Sequence, residues 1–394
     1  MKEAELRNIS SIDEILETFD SELENAADRF KLLGVKNGLA GLVLYNLARY
    51  RVSHDEKFKQ SAITYLSMCI DRLNSGYQRP FVARELAEIG HVILMAGVNG
   101  LWNVELNELL DDFDTILYQK LQNDIQCKNF DFTSGSLALA LYFYKRDNEV
   151  ARKATSEIVN QIVTLAQEDS RGIFWESQLK SDGSVYLGIS HGSACLINFL
   201  IVLEKNQLTV SHKYLIAAAA RFIVKNQLKD LPVFYPIISG EDNSIKKVWA
   251  NNICYGDPGT LYGLYQAADY LKDSEIKSLC LNQLTEITCR ELSGPYLPTG
   301  FGLLYGYAGL GMLWEKLHKQ TGEYFFLQAY EGVITRILQQ FDVQSPFLGY
   351  EGYWNQSYGF TNYSFAEGLI GIGLVLMGVQ EPEINQYYQP LFLY

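Results

Sequence analysis

Residues 254–268 read CYGDPGTLYGLYQAA and join a glycine-rich turn to a long apolar run. Gly256 and Gly259 punctuate the start, and the residues that follow are mostly apolar or aromatic. A helix that is apolar on every side is buried on every side. Glycine at the start of such a crowded helix permits close backbone approach and unusual φ. The stretch therefore predicts a buried helix that begins at a glycine turn.

Similar segments recur along the whole chain, roughly 45 to 65 residues apart, which leaves room for two helices and their loops in each interval. The seven markers are Asn37–Leu42, Glu85–Gly90, Ser134–Ala138, His191–Cys195, Tyr255–Gly259, Tyr305–Gly309 and Glu367–Gly371. The second marker is the least regular, since its glycine comes late. The pattern is typical of a helical-hairpin repeat.

Charged amphipathic segments lie between the markers, for example at 55–74, 150–168 and 273–291. Their apolar residues recur at helical spacing, so each predicts a helix with one solvated face. Buried helices inside a ring of amphipathic ones make an α/α barrel. The sequence thus predicts an all-α fold, an α/α toroid (barrel) of seven inner and seven outer helices. We expect a single domain over 1–394.

Composition and charge exclude several classes of function. The net charge of −13 repels nucleic-acid phosphate, so no nucleic-acid partner is expected. The longest apolar stretches, such as 369–379, are too short to span a membrane, and the charged N-terminus lacks the apolar region of a signal peptide. Six scattered cysteines without a CxxC motif predict reduced thiols, and hence a cytoplasmic location.

Three short motifs at the helix starts carry a family resemblance. Cys254–Gly259 matches W-C-Y-G-x-P-G, except that Ile253 replaces the tryptophan. Gly188–Cys195 is similar to G-x-x-H-G-x-x-G, and Asp131–Gly135 resembles D-x-x-x-G. These are motifs of the lanthionine synthetase C-like (LanC) family, and through the repeat the resemblance spans essentially the whole chain. It implies a seven-fold α/α toroid with a zinc ion at one end of its central cavity.

The resemblance also implies a reaction and a set of site residues. In the family, a cysteine thiol of a precursor peptide adds to dehydroalanine or dehydrobutyrine and forms a thioether ring. His191 and Asp131 are then the acid–base candidates, and Cys254 matches a zinc ligand. Tyr255 and Asp257 join Cys254 as expected substrate contacts. The implied partners are a precursor peptide and a dehydratase.

The sixth marker departs from the family pattern. The family takes its other two zinc ligands from a C-H-G motif, and here that place reads Leu304-Tyr305-Gly306. Catalytic zinc needs three protein ligands and an open position, so Cys254 as the only retained ligand cannot hold it. We therefore expect no metal and no other cofactor. Without zinc, Tyr305 becomes a candidate hydrogen-bond donor to the enolate that forms during the addition.

Other interpretations of these residues remain open. His191 fits a base near neutral pH, because imidazole titrates there, but it also fits a buried, satisfied structural group. Asp131 either orients that imidazole, protonates the enolate or caps the following helix. Cys254 also fits a small packed hydrophobe, and Cys195 is either a thiol that His191 activates or a buried apolar residue.

Two alternative functions also remain. Within the fold, the chain can serve as a non-catalytic scaffold that binds the precursor peptide or its dehydratase. From another class, an α/α-barrel carbohydrate hydrolase would use paired carboxyls beside aromatic residues, such as Glu176 and Glu351. Such an enzyme would place one of these glutamates in the cavity of His191.

Overall fold

A computed structural model describes residues 11–98, 106–177, 182–229, 233–240, 251–290, 298, 300–352 and 359–391. The described residues form fourteen α-helices and one short antiparallel hairpin. Seven helices are amphipathic: α1 (Ile12–Ala26), α3 (Glu56–Asn74), α5 (Leu106–Gln126), α7 (Glu149–Leu165), α9 (Lys213–Lys225), α11 (Ser274–Arg290) and α13 (Tyr324–Gln340). Seven carry the glycine markers: α2 (Ala40–Ser53), α4 (Val82–Val98), α6 (Leu137–Lys145), α8 (Ser193–Lys205), α10 (Asp257–Leu271), α12 (Tyr307–Thr321) and α14 (Leu369–Gln380).

The chain divides into two compact units. The terminal unit comprises Met1–Tyr77 and Pro298–Tyr388, and the central unit comprises Gln78–Leu297 and Gln389–Tyr394. Within the terminal unit, α14 packs against α1, α2 and α12, while α3 and α13 pack on α2 and α12. Within the central unit, α4 packs on α5 and α6, and α8 packs on α9 and α10. The prediction of a single domain stays a prediction.

Several helices of the two sets begin in different ways. Among the amphipathic helices, Asp55 accepts a hydrogen bond from the backbone of α3 and Asn148 from the backbone of α7, whereas α9 and α13 have no side-chain cap bond. Helices α2, α6, α8, α10, α12 and α14 have no side-chain cap bond. At the start of α2, α6, α8 and α12, a backbone N–H instead donates to a carbonyl seven residues earlier, as from Ser193 to Tyr186 and from Tyr307 to Gly300, both at 3.1 Å. The chain thus satisfies the first helical N–H groups with a tight loop.

Glycine allows these loops to close, because it has no side chain and the backbone six residues earlier can pack directly against it. A Cβ on Gly192 would lie 2.5 Å from the Tyr186 carbonyl, and one on Gly306 would lie 2.5 Å from the Gly300 oxygen. Their φ angles are −119° and −130°, an extended conformation that any residue adopts. Close approach is therefore the reason for glycine here, and the expectation of unusual φ is wrong at these positions.

The helices predicted from the sequence are present. The segments 55–74, 150–168 and 273–291 correspond to α3, α7 and α11. The second marker is the exception, because its glycine, Gly90, lies inside α4 rather than before it, with the Tyr142 ring where a Cβ would be. None of the described helices combines the length and apolar character of a membrane span.

Candidate active site

The fourth and fifth glycine turns lie side by side in the central unit. A Cβ on Gly188, in the fourth turn, would approach the backbone oxygen of Cys254 in the fifth to 3.4 Å. The helices that follow are also in close contact, since a Cβ on Gly263 of α10 would lie 2.6 Å from the side chain of Ala194 on α8. This packing brings side chains from distant parts of the sequence to one place.

The third turn joins them through a histidine and an aspartate. His191 Nδ1 lies 2.8 Å from Asp131 Oδ2, across 60 residues of sequence. Both side chains are almost fully enclosed, with exposed fractions of 7% and 3%. The two acid–base candidates are therefore in direct contact, and their catalytic roles stay predictions.

The second carboxylate oxygen of Asp131 holds the local backbone. Asp131 Oδ1 accepts hydrogen bonds from the N–H groups of Thr133 at 2.8 Å and Ser134 at 3.0 Å, and from both their hydroxyls. Helix α6 begins later, at Leu137, so Asp131 fixes the turn rather than capping the helix. Burial favours the neutral acid, but hydrogen bonds from His191 and Thr133 outweigh it and hold the pKa of Asp131 well below its usual value.

This charge state fixes the tautomer of the histidine. An ionised carboxylate only accepts hydrogen bonds, so Nδ1 of His191 carries the proton that it donates to Asp131. In the neutral imidazole, Nε2 is then the acceptor. The arrangement orients the ring and leaves a base on its far side.

Aromatic rings enclose the imidazole. The Tyr255 ring stacks on His191 with centroids 5.8 Å apart and an interplanar angle of 23°. Tyr186 and Phe132 approach edge-on at 6.1 and 6.5 Å. Tyr255 is itself fixed, because its backbone N–H donates to Asn252 Oδ1 at 2.8 Å. These contacts restrict the imidazole to one orientation.

A narrow pocket lies beside His191. Its lining comprises Phe130, Asp131, Phe132, Leu137, Ser177, Ser190, His191, Gly192, Cys195 and Leu196. Cys195, one helical turn after His191, is buried here as a thiol outside any disulfide. Glu176 and Glu351, the carboxyl groups that a carbohydrate hydrolase would use, do not line this pocket. Glu176 belongs to the central unit, whereas Glu351 is exposed and belongs to the terminal unit.

The other two residues predicted from the fifth turn are buried. Cys254 is 3% exposed, and its backbone N–H donates to Asn252 Oδ1 at 3.0 Å. Asp257, in the first turn of α10, accepts backbone hydrogen bonds from Phe234 at 2.8 Å and Tyr235 at 2.9 Å. Both carboxylate oxygens of Asp257 thus bind the backbone of a neighbouring loop. Contact of Cys254 or Asp257 with substrate stays a prediction.

The sixth turn belongs to the terminal unit, where it meets the seventh and the first. Leu304 N–H donates to the Ala366 carbonyl at 2.9 Å, and Ala366 N–H donates to the Lys36 carbonyl at 3.0 Å. Leu304 and Tyr305 are both partly exposed on this turn. The role of Tyr305 as a donor to substrate stays a prediction.

The seventh turn carries a titratable residue that the sequence did not single out. Glu367 is partly buried, and its Oε2 is enclosed without a hydrogen-bond partner. Burial raises the pKa of this carboxyl from 4.5 to about 7. The signal in the sequence was a lone carboxylate in the otherwise apolar marker FAEGLIGIG, at 365–373.

Comparison with solved structures defines the class of fold. Nisin cyclase matches with a TM-score of 0.73 at 17% identity, over 100% of this chain and 98% of that chain. The match confirms the fold class predicted from the sequence, an all-α α/α toroid. No curated protein matches the chain.

Family membership follows from the sequence profile. The profile of the lanthionine synthetase C-like protein family matches residues 32–393, which is nearly the whole chain. The protein belongs to this family, and the resemblance carried by its three short motifs is confirmed.

The residues that the family resemblance assigns to zinc do not fit a catalytic zinc ion. Cys254 supplies a sulfur, Leu304 supplies no donor atom, and a Tyr305 phenol is a poor zinc ligand at neutral pH. Among the residues that the structure describes, no group of three His, Cys, Asp or Glu side chains is placed to hold a metal ion. Three protein ligands are the minimum for a catalytic zinc site.

Proposed function

We propose that this protein is a lanthionine cyclase-like enzyme that works without zinc. It adds a cysteine thiol of a ribosomally made peptide to dehydroalanine or dehydrobutyrine and closes a thioether ring. Family membership supports the reaction class. The observation that carries the proposal is the His191–Asp131 pair, in which a buried ionised carboxylate holds the imidazole and leaves Nε2 as a base.

The first step makes the nucleophile. His191 Nε2 accepts the proton of the peptide thiol, because only the thiolate is strongly nucleophilic. The thiolate sulfur then forms a bond to Cβ of the dehydro residue, and the Cα–Cβ π electrons move into an enolate. The negative charge of Asp131 stabilises the imidazolium that results, as a carboxylate does for histidine in other acid–base sites.

The second step quenches the enolate. The enolate oxygen needs a hydrogen-bond donor, and Tyr305 is the candidate that the sequence offers for this role. The α-carbon then takes a proton, which balances the one removed from the thiol. Asp131 is a poor source of that proton, since its low pKa keeps it ionised. Its role is therefore to orient His191.

The partners follow from this reaction. The substrate is a dehydrated precursor peptide, and a dehydratase must act before the cyclase. The net charge of −13 favours a basic peptide over an acidic one. We place the enzyme in the cytoplasm, where its six cysteines stay reduced.

The alternative within the family is a scaffold that binds the peptide or the dehydratase without catalysis. The lack of good zinc ligands at Leu304 and Tyr305 favours it, because a protein without these ligands can also lack the reaction. A scaffold would bind peptide equally well with or without His191.

The decisive assay uses a synthetic peptide that contains one dehydroalanine and one cysteine a few residues apart. Ring formation is followed by loss of free thiol and by mass spectrometry. We expect His191→Ala to slow it about a hundredfold or more, the usual contribution of a general base. His54→Asn is the matched control, since His54 is an exposed imidazole at a left-handed position that asparagine tolerates.

Asp131→Asn tests the orientation of the base. The amide oxygen can still accept from Thr133 and Ser134, but its NH₂ group would face His191 Nδ1 as a donor. The imidazole proton then moves to Nε2, and the base is lost in a folded protein. We expect a rate close to that of His191→Ala. Wild-type rates in both variants would contradict the proposed function.

A further inference from the structure

A second pocket lies in the terminal unit, between α1, α2 and α3. Its volume is about 370 Å³, which is within the usual range for ligand pockets. Every residue that lines it belongs to the first 77 residues of the chain, so the pocket is complete within this unit. None of the residues assigned to ring formation lines it. The pocket is therefore a separate place where a ligand can bind.

Asn46 brings an unused hydrogen-bond acceptor to this pocket from the buried helix α2. The residue is only 8% exposed, and its Nδ2 donates to the Leu42 carbonyl at 2.8 Å. Because a carbonyl oxygen only accepts, this bond fixes the orientation of the amide. Among the described residues none donates to Asn46 Oδ1, and this oxygen is not sealed from solvent. Its accessible surface therefore opens on the pocket that Asn46 lines.

Two carboxylates of α1 add further acceptors at the mouth of the pocket. Glu17 and Glu24 lie two turns apart on the face of α1 that lines it, and both are exposed. Within the described part of the chain, neither side chain forms an ion pair or a hydrogen bond. Asp20 lies between them but is already bound, to Arg49 at 2.8 Å and to the Tyr45 hydroxyl at 2.8 Å. The lining thus offers two carboxylates and one amide oxygen to a ligand that carries donors.

Aromatic rings of α3 form the apolar part of the lining. Arg49 Cζ lies 4.6 Å from the centre of the Phe58 ring, and Lys57 Nζ lies 4.7 Å from it. Tyr65 lies two turns further along the same face of α3. Guanidinium groups stack on aromatic faces and pair with carboxylates through a planar set of donors. Arg49 makes both contacts behind the lining, and the open part of the pocket offers the same combination to a ligand.

We propose that this pocket binds the guanidinium group of an arginine side chain in a basic peptide. A guanidinium has five N–H donors and no acceptor, which suits a lining whose unused polar atoms are Asn46 Oδ1 and the carboxylates of Glu17 and Glu24. An ammonium group concentrates its donors on one atom and spans such a set less well. The inference does not depend on the proposed function, because a catalyst and a scaffold would both use such a site to hold a basic peptide.

The experiment measures the affinity of the full chain for three probes by ligand-observed NMR titration at low salt. The probes are a capped alanine–arginine–alanine tripeptide, the same tripeptide with citrulline, and n-propylguanidinium. Citrulline keeps the shape of arginine without its charge. The pocket variants are Asn46→Leu and the double variant Glu17→Gln with Glu24→Gln. The matched control is Glu323→Gln with Glu331→Gln, since both residues are exposed and lie at α13 of the same unit.

We expect the arginine tripeptide to bind about tenfold or more tightly than the citrulline tripeptide, since a hydrogen bond to a charged group is worth more than a neutral one. The double variant should weaken arginine binding about fivefold, the contribution of two exposed ion pairs. Asn46→Leu should weaken it about tenfold, because a charged donor loses its acceptor. The control should bind like wild type. The double variant changes only exposed side chains of α1, so it tests the pocket even if Asn46→Leu unfolds the protein.

Three results would overturn the inference. The first is equal affinity for the arginine and citrulline tripeptides, or wild-type affinity in both pocket variants. The second is an equal loss in the double variant and its control, which would mean that the net charge of −13 attracts the peptide without a defined site. The third is equal affinity for n-propylguanidinium and the arginine tripeptide, which would identify a small free cation, rather than a peptide, as the ligand.

Discussion

Two clusters of glycine turns have the same backbone design but opposite electrostatics. In the central unit, which joins the third, fourth and fifth turns, Asp131 is surrounded by donors and its pKa is lowered. In the terminal unit, which joins the sixth, seventh and first turns, the enclosed Glu367 oxygen has no donor and the carboxyl pKa is raised. Similar enclosure thus produces an ionised carboxylate in one cluster and a largely neutral acid in the other. Hydrogen-bond donors, rather than burial, decide which of the two forms.

The contact between the sixth and seventh turns should be the most sensitive to substitution. Gly302→Ala would place a methyl group 2.5 Å from the backbone of Glu367, which cannot move without displacing the seventh turn. We expect a loss of about 3 kcal/mol in the free energy of unfolding, the upper range for overpacking. Urea denaturation measures it.

Gly188→Ala is the matched control in the central unit. Its added methyl group would lie 3.4 Å from the Cys254 oxygen, close to ordinary contact. We expect its effect on the free energy of unfolding to stay below about 1 kcal/mol. Equal losses in the two variants would mean that the turns of the terminal unit do not fit as tightly as the structure indicates.

The two carboxyls also predict opposite dependences of stability on pH. Because folding raises the pKa of Glu367 from 4.5 to about 7, its folded form binds more protons in that interval, and stability falls as pH rises through it. The shift corresponds to about 3 kcal/mol, which Glu367→Gln should regain at pH 8 but not at pH 4.

Asp131 should behave in the reverse sense. Folding lowers its pKa, so its contribution is present at neutral pH and is lost as the pH falls below about 4. Asp131→Asn should therefore flatten the acid side of the stability curve and leave the interval from pH 5 to 8 unchanged in slope. Thermal unfolding at a series of pH values measures both variants. Parallel curves for both variants and wild type would contradict the assigned charge states.

Much of the fold could be predicted from the sequence because its signals are local. Glycine followed by an apolar run marks a buried helix wherever it occurs, and six of the seven markers stand directly at a helix start. The second marker does not stand at a helix start, because Gly90 lies inside a helix, where it makes room for the Tyr142 ring. The prediction of unusual φ at the helix starts is wrong at Gly192 and Gly306. Close approach of neighbouring backbone is enough to require glycine at both positions.

The site was only partly predictable, because its properties depend on long-range contacts. The motifs indicate His191 and Asp131 as site residues. They do not decide whether Asp131 orients the imidazole, protonates the enolate or caps the following helix. Its five hydrogen bonds decide its charge. Glu367 resembles any carboxylate at a helix start, and its raised pKa arises from burial at turns that are far apart in the sequence.

The rate of ring formation in the presence of a metal chelator shows whether the enzyme works without zinc. The assay uses wild-type enzyme dialysed against metal-free buffer, with the zinc content of the same sample determined by atomic spectroscopy. Base catalysis by the His191–Asp131 pair predicts an unchanged rate with far less than one zinc per chain, and loss of that rate in His191→Ala. A rate that is abolished by chelator and restored by added zinc would show instead that the reaction depends on zinc.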